Sequence, residues 1–384
     1  MTFDGVAEQR DDGETATAIA VSPGVPGPLS LRPLAGRPLV SVLISNKDYG
    51  RFLPQALEGL MAQTYERWEV VVCDDGSVDD SRDVTRSYAK RDPRVSLVEH
   101  AVNRGQAAAF NTAFATSRGD VVCFLDADDV FRPNKLEVVV DALARSGAGA
   151  VVHPLVMIDG DGREIQRIPG LTRFERGWIA DRVVERGGRW RWVPTSGVAI
   201  HRDVAEVIFP MPEQGYSTSA DTFVLMLLPL LTPIEVADDV LAVYRRHGAN
   251  HYARTGFDVA RIPRTLDNLA SSMAHVNERL DGLERAGHRL RMGENLQYRE
   301  LGFQQALLAD GARRADLLVR YRDLAWRLRR DDLYGALQRG WARVMYLVAI
   351  MLPHPLRARW LGASLSASRP KELVRRGWRL VGGR

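Results

Sequence analysis

Carboxylates gather at two places in the chain: Asp74 and Asp75 in CDDGSVDD, and Asp126, Asp128 and Asp129 in FLDADD. Each cluster directly follows an apolar run with strand character. In a parallel α/β sheet, ligands bind outside the carboxyl ends of the strands, so both clusters are expected at one edge and in one site. An acidic edge repels phosphate unless a divalent cation intervenes, and hard oxygen ligands make Mg²⁺ or Mn²⁺ the expected bridge. Asp126-Ala127-Asp128 has the alternation by which a strand end places two carboxylates on one side, since residues i and i+2 share a face. A D-x-D alone is weak, because aspartates favour turns at strand ends. Its place on the strand after Asn103-Arg104-Gly105, with DDGS two strands earlier in the chain, gives it weight.

The elements that must hold these groups begin at Pro38, where short apolar runs start to alternate with amphipathic stretches of helical length, the pattern of βα units around a parallel sheet. Strands are expected at Leu39–Ser45, Trp68–Asp75, Arg94–His100 and Asp120–Asp129. The intervening helices carry apolar residues three and four apart, with Pro54 near one helix start and Gly119 and Gly147 at helix ends. GAVVHPLVMID turns at DGDG into REIQRI, which reads as a hairpin and brings antiparallel strands to the sheet. From Asp258 onward nearly everything reads as helix. The fold class is therefore α/β, a mixed sheet flanked by helices, followed by a C-terminal all-helical region. Residues 1–36, polar and then rich in Pro and Gly, read as a disordered leader, with a catalytic domain at 37–255 and helices at 256–384.

Composition narrows the class further. With 384 residues, 45% hydrophobic, 26% charged and 2 Cys, the chain is globular and neither collagen-like nor disulfide-stapled. Its longest apolar runs, Phe223–Leu231 and Val344–Leu352, span nine residues each, against the ~20 of a spanning helix. The first thirty residues lack the basic start and apolar stretch of a secretion signal, so a cytoplasmic location is expected. Cys73 and Cys123 sit in apolar strand runs as reduced, buried thiols. The net charge of +4 divides into +12 for residues 311–384 and −8 for residues 1–310. That acidic front argues against nucleic acid as a partner, while the basic helices could meet an anionic membrane.

The segments SVLISNKDYGRFLPQAL, QTYERWEVVVCDDGSVDD, VNRGQAAAFNTAF and SRGDVVCFLDADDVF together resemble the glycosyltransferases of family 2, which have the GT-A nucleotide-sugar-binding fold. The likeness runs from about Pro38 to Leu143 and, more loosely, to His251. It implies a Rossmann-like mixed sheet and a metal-dependent, inverting transfer of one sugar from a nucleoside diphosphate, UDP or dTDP, to the hydroxyl of a glycan or lipid-linked acceptor. Carried onto this sequence, it makes Asp75 the acceptor of a hydrogen bond from a uracil or thymine imide. Ser45 and Gly105 resemble positions near the base, with Lys47 where relatives commonly have an aromatic residue. Asp126 resembles the contact to the ribose or metal shell, and Asp128 the direct metal ligand. Asp221, in STSADTFVLMLL, resembles the general base, with Ala220 replacing the usual acidic neighbour. VYRRHGANHY resembles the Y-R-x-H segment, where His247 would ligate metal or phosphate and Arg245 and Arg246 would approach the diphosphate.

Each of these residues also has a plain structural reading: Asp75, Ser77, Asp79 and Asp221 as turn or cap residues, and His247 as a packing residue. GGRWRWVPTSG reads either as core or as an acceptor platform. The absence of Gln-x-x-Arg-Trp points to a non-processive enzyme. Two other functions remain open on the sequence: a nucleotidyltransferase, for which SNKDYGRF is a poor triphosphate loop, and a catalytically silent nucleotide-sugar-binding scaffold. Leu266, Leu269, Met273, Val276, Leu280 and Leu283 form a short heptad seam, either a dimerising coiled coil or an antiparallel hairpin within one chain. The basic stretch Leu317–Trp360 reads either as a peripheral membrane contact or as a helical subdomain with a solvated arginine face.

Overall fold

The computed structural model describes residues 26–159, 161–167, 174–247 and 258–365. The alternating half forms β1 (Val40–Asn46), α1 (Leu53–Met61), β2 (Trp68–Asp75), α2 (Ser81–Arg91), β3 (Val95–His100), α3 (Gln106–Thr116), β4 (Val121–Phe124), β5 (Val130–Phe131) and α4 (Lys135–Ser146). The less regular part follows as β6 (Ala150–Val152), β7 (Leu155–Ile158), β8 (Glu164–Arg167), α5 (Ala180–Glu185), β9 (Val198–His201), α6 (Arg202–Ile208), α7 (Asp221–Leu227), β10 (Ile234–Val236) and β11 (Ala242–Arg245). The helical region is α8 (Ile262–Gly282), α9 (Leu296–Leu308), α10 (Arg314–Arg330), α11 (Ala336–Met351) and α12 (His354–Leu365).

Seven strands make one sheet in the order β10-β6-β9-β4-β1-β2-β3. The pairs of β1 with β2, β2 with β3 and β1 with β4 are parallel, and β9 runs antiparallel between β4 and β6. All eight residues of β2 are buried, as a strand covered by helices on both faces requires. The chain leaves β1 toward β2 and β3 and returns on its other side as β4. The strand order therefore reverses at β1, and the crevice above its carboxyl end is the expected ligand position. The hairpin of β7 and β8 forms as expected, but in a second, four-stranded sheet, β5-β11-β7-β8, rather than in the main one.

Two expectations change on contact with the packing. Residues 26–36, read as part of the leader, are laid along the domain. Leu29, Leu31 and Leu34 pack on the main core, Leu29 N–H donates to Leu231 O at 2.8 Å, and Arg32 Nε donates to Asp203 at 2.7 Å. Apolar burial thus overrides a composition that promised none. The heptad seam of α8 is consumed within the chain: Leu269, Met273, Val276 and Leu280 are buried in the same core as the sheet, against α7. Phe223–Leu227 of α7 are all buried, so that helix needs a cover on its outer side. The coiled-coil dimer reading loses its surface, and the boundary between cores falls between Leu290 and Leu296, beyond the pattern change near 256.

Helices α9–α12 enclose a second core that includes Phe303, Leu307, Leu324, Leu328, Tyr346, Ile350 and Leu361. It is tied to the catalytic half by Arg189, whose guanidinium pairs with Asp331 at 2.5 Å, and by Asn295 Nδ2, which donates to Gly187 O at 2.7 Å.

Candidate active site

The carboxyl ends of β1 and β2 and the turn after β4 meet at the strand-order reversal. β4 stops at Phe124, paired with Leu43, although β1 runs on to Asn46; after a last Leu125 N–H bond to Leu43 O at 3.0 Å the chain leaves the ladder. Asp126–Asp129 therefore form a turn, closed by the Asp129 N–H on Asp126 O at 2.9 Å, and not a strand end. The carboxylates are clustered by turn geometry rather than by the two-residue alternation of a strand. Ser196 Oγ, on the short turn before β9, accepts the Asp126 N–H at 3.1 Å.

The charge in this turn is costly to keep. The Asp126 carboxyl is pushed up to about 8, first by burial and then by the neighbouring charges of Asp128 and Asp221. Asp129 is also held well above its ordinary value, by burial and then by Asp128 and Asp126. Its Oδ1 accepts the Arg245 N–H at 2.9 Å, tying the turn to β11, while its buried Oδ2 has no partner among the described residues. Asp128 Oδ2 lies 2.9 Å from His247 Nε2, and the imidazole stacks on Phe52 with centroids 4.6 Å apart. Asp128 and His247 are therefore in contact, with Asp126 in the same turn. Arg245 turns inward instead: its Nε donates to Asp128 O at 3.0 Å and its guanidinium also binds Gln55 Oε1, so it braces the acidic turn from behind.

Asp75 ends β2 with a buried carboxylate. Oδ1 accepts the Arg104 N–H at 2.8 Å and faces His100 Nδ1 at 2.7 Å, while Oδ2 accepts the Gly105 N–H at 2.7 Å. Two of its roughly four acceptor positions hold the 104–105 turn and a third faces His100, leaving about one for a ligand. Its neighbour Asp74 is structural: it accepts from Asn46 Nδ2, the Ser77 N–H and Arg82 Nε at 2.8–3.0 Å. Burial would raise its carboxyl, but the hydrogen bonds from Ser77 and Arg82 outweigh this and hold it below the ordinary range. Ser77 and Asp79 serve the turn, as their plain reading expects: Ser77 Oγ accepts the Asp48 N–H and Asp79 Oδ2 the Gly50 N–H, both at 2.9 Å. Ser45 lies one residue from the end of β1, opposite Cys73.

Gly105 has φ +95°, and a Cβ there would stand 2.7 Å from Ser217 Cα. Close approach does require the glycine, but the approaching group is the chain's own 216–217 segment, whose carbonyls accept the Gln106 and Ala107 N–H groups at 3.1 and 3.2 Å. That contact carries the next functional residue. Gln106 Oε1 accepts the Ala220 N–H at 3.0 Å, fixing the start of α7 and with it Asp221. Burial pushes the Asp221 carboxyl up to about 6 against the lowering effect of the Thr222 N–H and its own, and its buried Oδ1 has no partner among the described residues.

The sequence reading passed over several groups here. Tyr49, two residues beyond Lys47, brings an aromatic ring beside His247. Its centroid is 5.7 Å from the His247 ring, and its hydroxyl is pushed up to about 12 by burial and the charges of Asp128 and Asp126. The fully buried Lys135 donates from Nζ to Ser196 O at 2.6 Å, with Nζ 3.4 Å from the Phe131 ring centroid, and burial pushes its ammonium down to about 7. A lysine in the amphipathic pattern of α4 gives no sign of burial in the sequence. Gln106 and Asn46 were legible only as polar residues next to a recognised motif. In the tryptophan-rich segment, Trp190 is core, donating from Nε1 to Leu225 O at 2.6 Å, and Trp192 is exposed.

Residues 41–209 match the sequence pattern of glycosyl transferase family 2. The uncharacterized glycosyltransferase alr2836 of Nostoc sp. is 35% identical over 273 residues, which cover 69% of this chain and 83% of that protein. The Escherichia coli UDP-Glc:alpha-D-GlcNAc-diphosphoundecaprenol beta-1,3-glucosyltransferase WfgD is 32% identical over 108 residues, 28% of this chain and 42% of that one. Among solved structures, residues 1–349 of Staphylococcus aureus TarS, in complex with UDP-GlcNAc, align with a TM-score of 0.52 at 15% identity, covering 88% of this chain and 92% of that one.

Proposed function

The chain belongs to glycosyl transferase family 2 and has the GT-A fold, and from that premise we propose that it moves one sugar from a uridine or thymidine diphosphate, with inversion, onto the hydroxyl of a lipid-linked or glycan acceptor of the cell envelope. The observation that carries this reading is the chain of contacts from Asp75 to the Gly105 N–H and from Gln106 to the Ala220 N–H at the start of the helix that carries Asp221, whose charge also raises Asp126. The family relation favours a transferase over a nucleotidyltransferase. The relative WfgD, named for a UDP-glucose donor and a diphosphoundecaprenol acceptor, supports the donor and acceptor classes.

In this reading Asp75 takes a base imide N–H on its remaining lone pair, with Ser45 and Gly105 beside the base. Asp128 would hold Mg²⁺ or Mn²⁺, with Asp126 and His247 beside it as further candidates for its shell. The donors fit such an ion: the Asp126 carboxyl, raised by burial and then by the charge of Asp128, gains from a nearby cation, and an imidazole nitrogen lies 2.9 Å from Asp128. No closed cage of three His, Cys, Asp or Glu side chains occurs among the described residues, and these ions commonly take one or two carboxylates and complete their shell with water and substrate phosphates. When bound, the cation offsets the negative charge that develops on the departing diphosphate. Asp221 removes the proton from the acceptor hydroxyl as its oxygen bonds to the anomeric carbon on the face opposite the breaking bond to the diphosphate. Held near 6, its carboxylate is ionised at neutral pH yet more basic than an ordinary aspartate.

Screening nucleotide sugars for Mn²⁺-dependent thermal stabilisation, with Asp128→Ala beside the unsubstituted chain, tests the proposal. A uridine or thymidine diphosphate sugar should stabilise the unsubstituted chain only with the metal and the variant much less. Stabilisation without consumption of donor, over a panel of acceptors, would return the silent scaffold reading that Ala220 invites.

A further inference from the structure

Helices α10 and α11 carry a surface that neither core covers. On α11, Leu337, Gly340, Val344, Leu347 and Met351 recur at intervals of three and four and so share one face, turned away from the buried Met345, Tyr346 and Ala349. Leu337 is 82% exposed, Val344 53%, Leu347 42% and Met351 57%. The stripe is about 21 Å long at ~1.5 Å per residue, and no charged residue interrupts it. A bare apolar stripe of this kind marks an interaction surface. On α10, the exposed Val319 and Trp326 share a face with Arg322 and Arg330, and the Arg330 guanidinium lies 4.3 Å from the Trp326 ring centroid.

Charge identifies the partner. Residues 313–365 contain 11 Arg and 4 Asp, a net of +7. All four acids are engaged: Asp316 with Arg313, Asp323 with Arg299 and Arg327, Asp331 with Arg189 and Asp332 with Arg186. Arg320, Arg322, Arg329 and Arg330 are exposed and enter no ion pair among the described residues. An apolar stripe on α11 and, on the neighbouring α10, a tryptophan with arginines outside any ion pair among the described residues are the features of helices that lie in the plane of an anionic bilayer surface. A second copy seated on the same stripe would bring two strongly positive units together, which disfavours it. No helix of the described residues is long and apolar enough to cross a membrane.

We propose that the outer face of α10 and α11 docks the enzyme on an anionic lipid bilayer, with Leu337, Val344, Leu347 and Met351 at the acyl boundary and Arg322, Arg329 and Arg330 on lipid phosphates. This deepens the acceptor reading, since a lipid-linked acceptor resides in that plane, but it rests on the exposed helix faces and not on the chemistry of the site. Flotation of the full chain with vesicles of phosphatidylcholine and phosphatidylglycerol, against phosphatidylcholine alone, tests it. The anionic vesicles should carry the protein, with binding weakened by salt. Leu337→Glu with Val344→Glu should weaken binding by about tenfold or more, as should Arg322→Glu with Arg329→Glu, while melting temperature and donor binding stay unchanged. Failure of the unsubstituted chain to float, equal flotation on neutral vesicles, or full binding by either variant would overturn the proposal. So would a dimer in light scattering that the Leu337→Glu, Val344→Glu variant dissolves without any vesicle binding. Flotation needs no turnover, so its failure leaves the sugar-transfer reading standing, and absent turnover leaves this one standing.

Discussion

Replacing Asp221 by Asn separates chemistry from folding at one residue and should move them in opposite directions. The Asp221 carboxyl is raised to about 6, with burial as the leading cause, against about 3.9 in an unfolded chain. Below pH 4 both states hold the proton and the residue is neutral in stability. As pH rises through the window from 4 to 6, the unfolded chain releases its proton first, so stability falls, and above 6 the full penalty is present. A shift of about two units at ~1.4 kcal/mol each makes that penalty about 3 kcal/mol as an upper value. The Asn variant keeps the shape and the backbone hydrogen bonds without the charge. Urea denaturation should therefore show it more stable by about 2–3 kcal/mol at pH 7 and nearly equal to the unsubstituted chain at pH 4. Transfer should fall by roughly 10²–10⁴-fold, the usual worth of a general base, with donor affinity retained. In the unsubstituted enzyme, kcat/KM at saturating metal should drop about tenfold from pH 7 to pH 5 on an acidic limb near pH 6. An Asn variant that turns over normally, or shows no stability gain at pH 7, refutes the assignment of the base and the burial argument respectively.

Gln106→Ala removes the acceptor of the Ala220 N–H and loosens the start of α7; steady-state kinetics should show kcat reduced roughly tenfold or more with little change in the KM for donor. Gly105→Ala forces a side chain to φ +95° and to 2.7 Å from Ser217 Cα, so chemical denaturation should show a loss of more than about 1 kcal/mol. Lys135, held down to about 7 by burial, binds its proton less tightly than in the unfolded chain; its contribution to stability therefore rises with pH between about 7 and 10. Lys135→Met should remove that part of the pH slope in melting experiments.

The regular half was legible because hydrophobic period and length act locally: β1, β2 and β3 fall where their apolar runs predict, and Gly147 ends α4 in the left-handed conformation as a C-terminal glycine does. What the sequence hid depends on contacts across the chain. FLDADD reads as a continuous strand, yet β4 leaves the ladder at Phe124 and the aspartates turn, closed by the Asp129 N–H on Asp126 O. The α8 seam looks like a coiled coil until α7, apolar on every side, claims it. Asp75 stands out in the sequence as a candidate, but its bond to the Arg104 N–H, and the reach of Gln106 to Ala220, join segments 29 and 114 residues apart. The burial of Lys135 and the Arg245 brace behind Asp128 leave no trace in local pattern at all.

The most direct test of the site is a crystal grown with Mn²⁺ and uridine diphosphate, read by manganese anomalous scattering. The account predicts one anomalous peak bound to Asp128 and the diphosphate oxygens, with the uracil imide nitrogen within hydrogen-bond distance of Asp75. Nucleotide bound elsewhere, or bound here with the manganese peak away from Asp128, would contradict it.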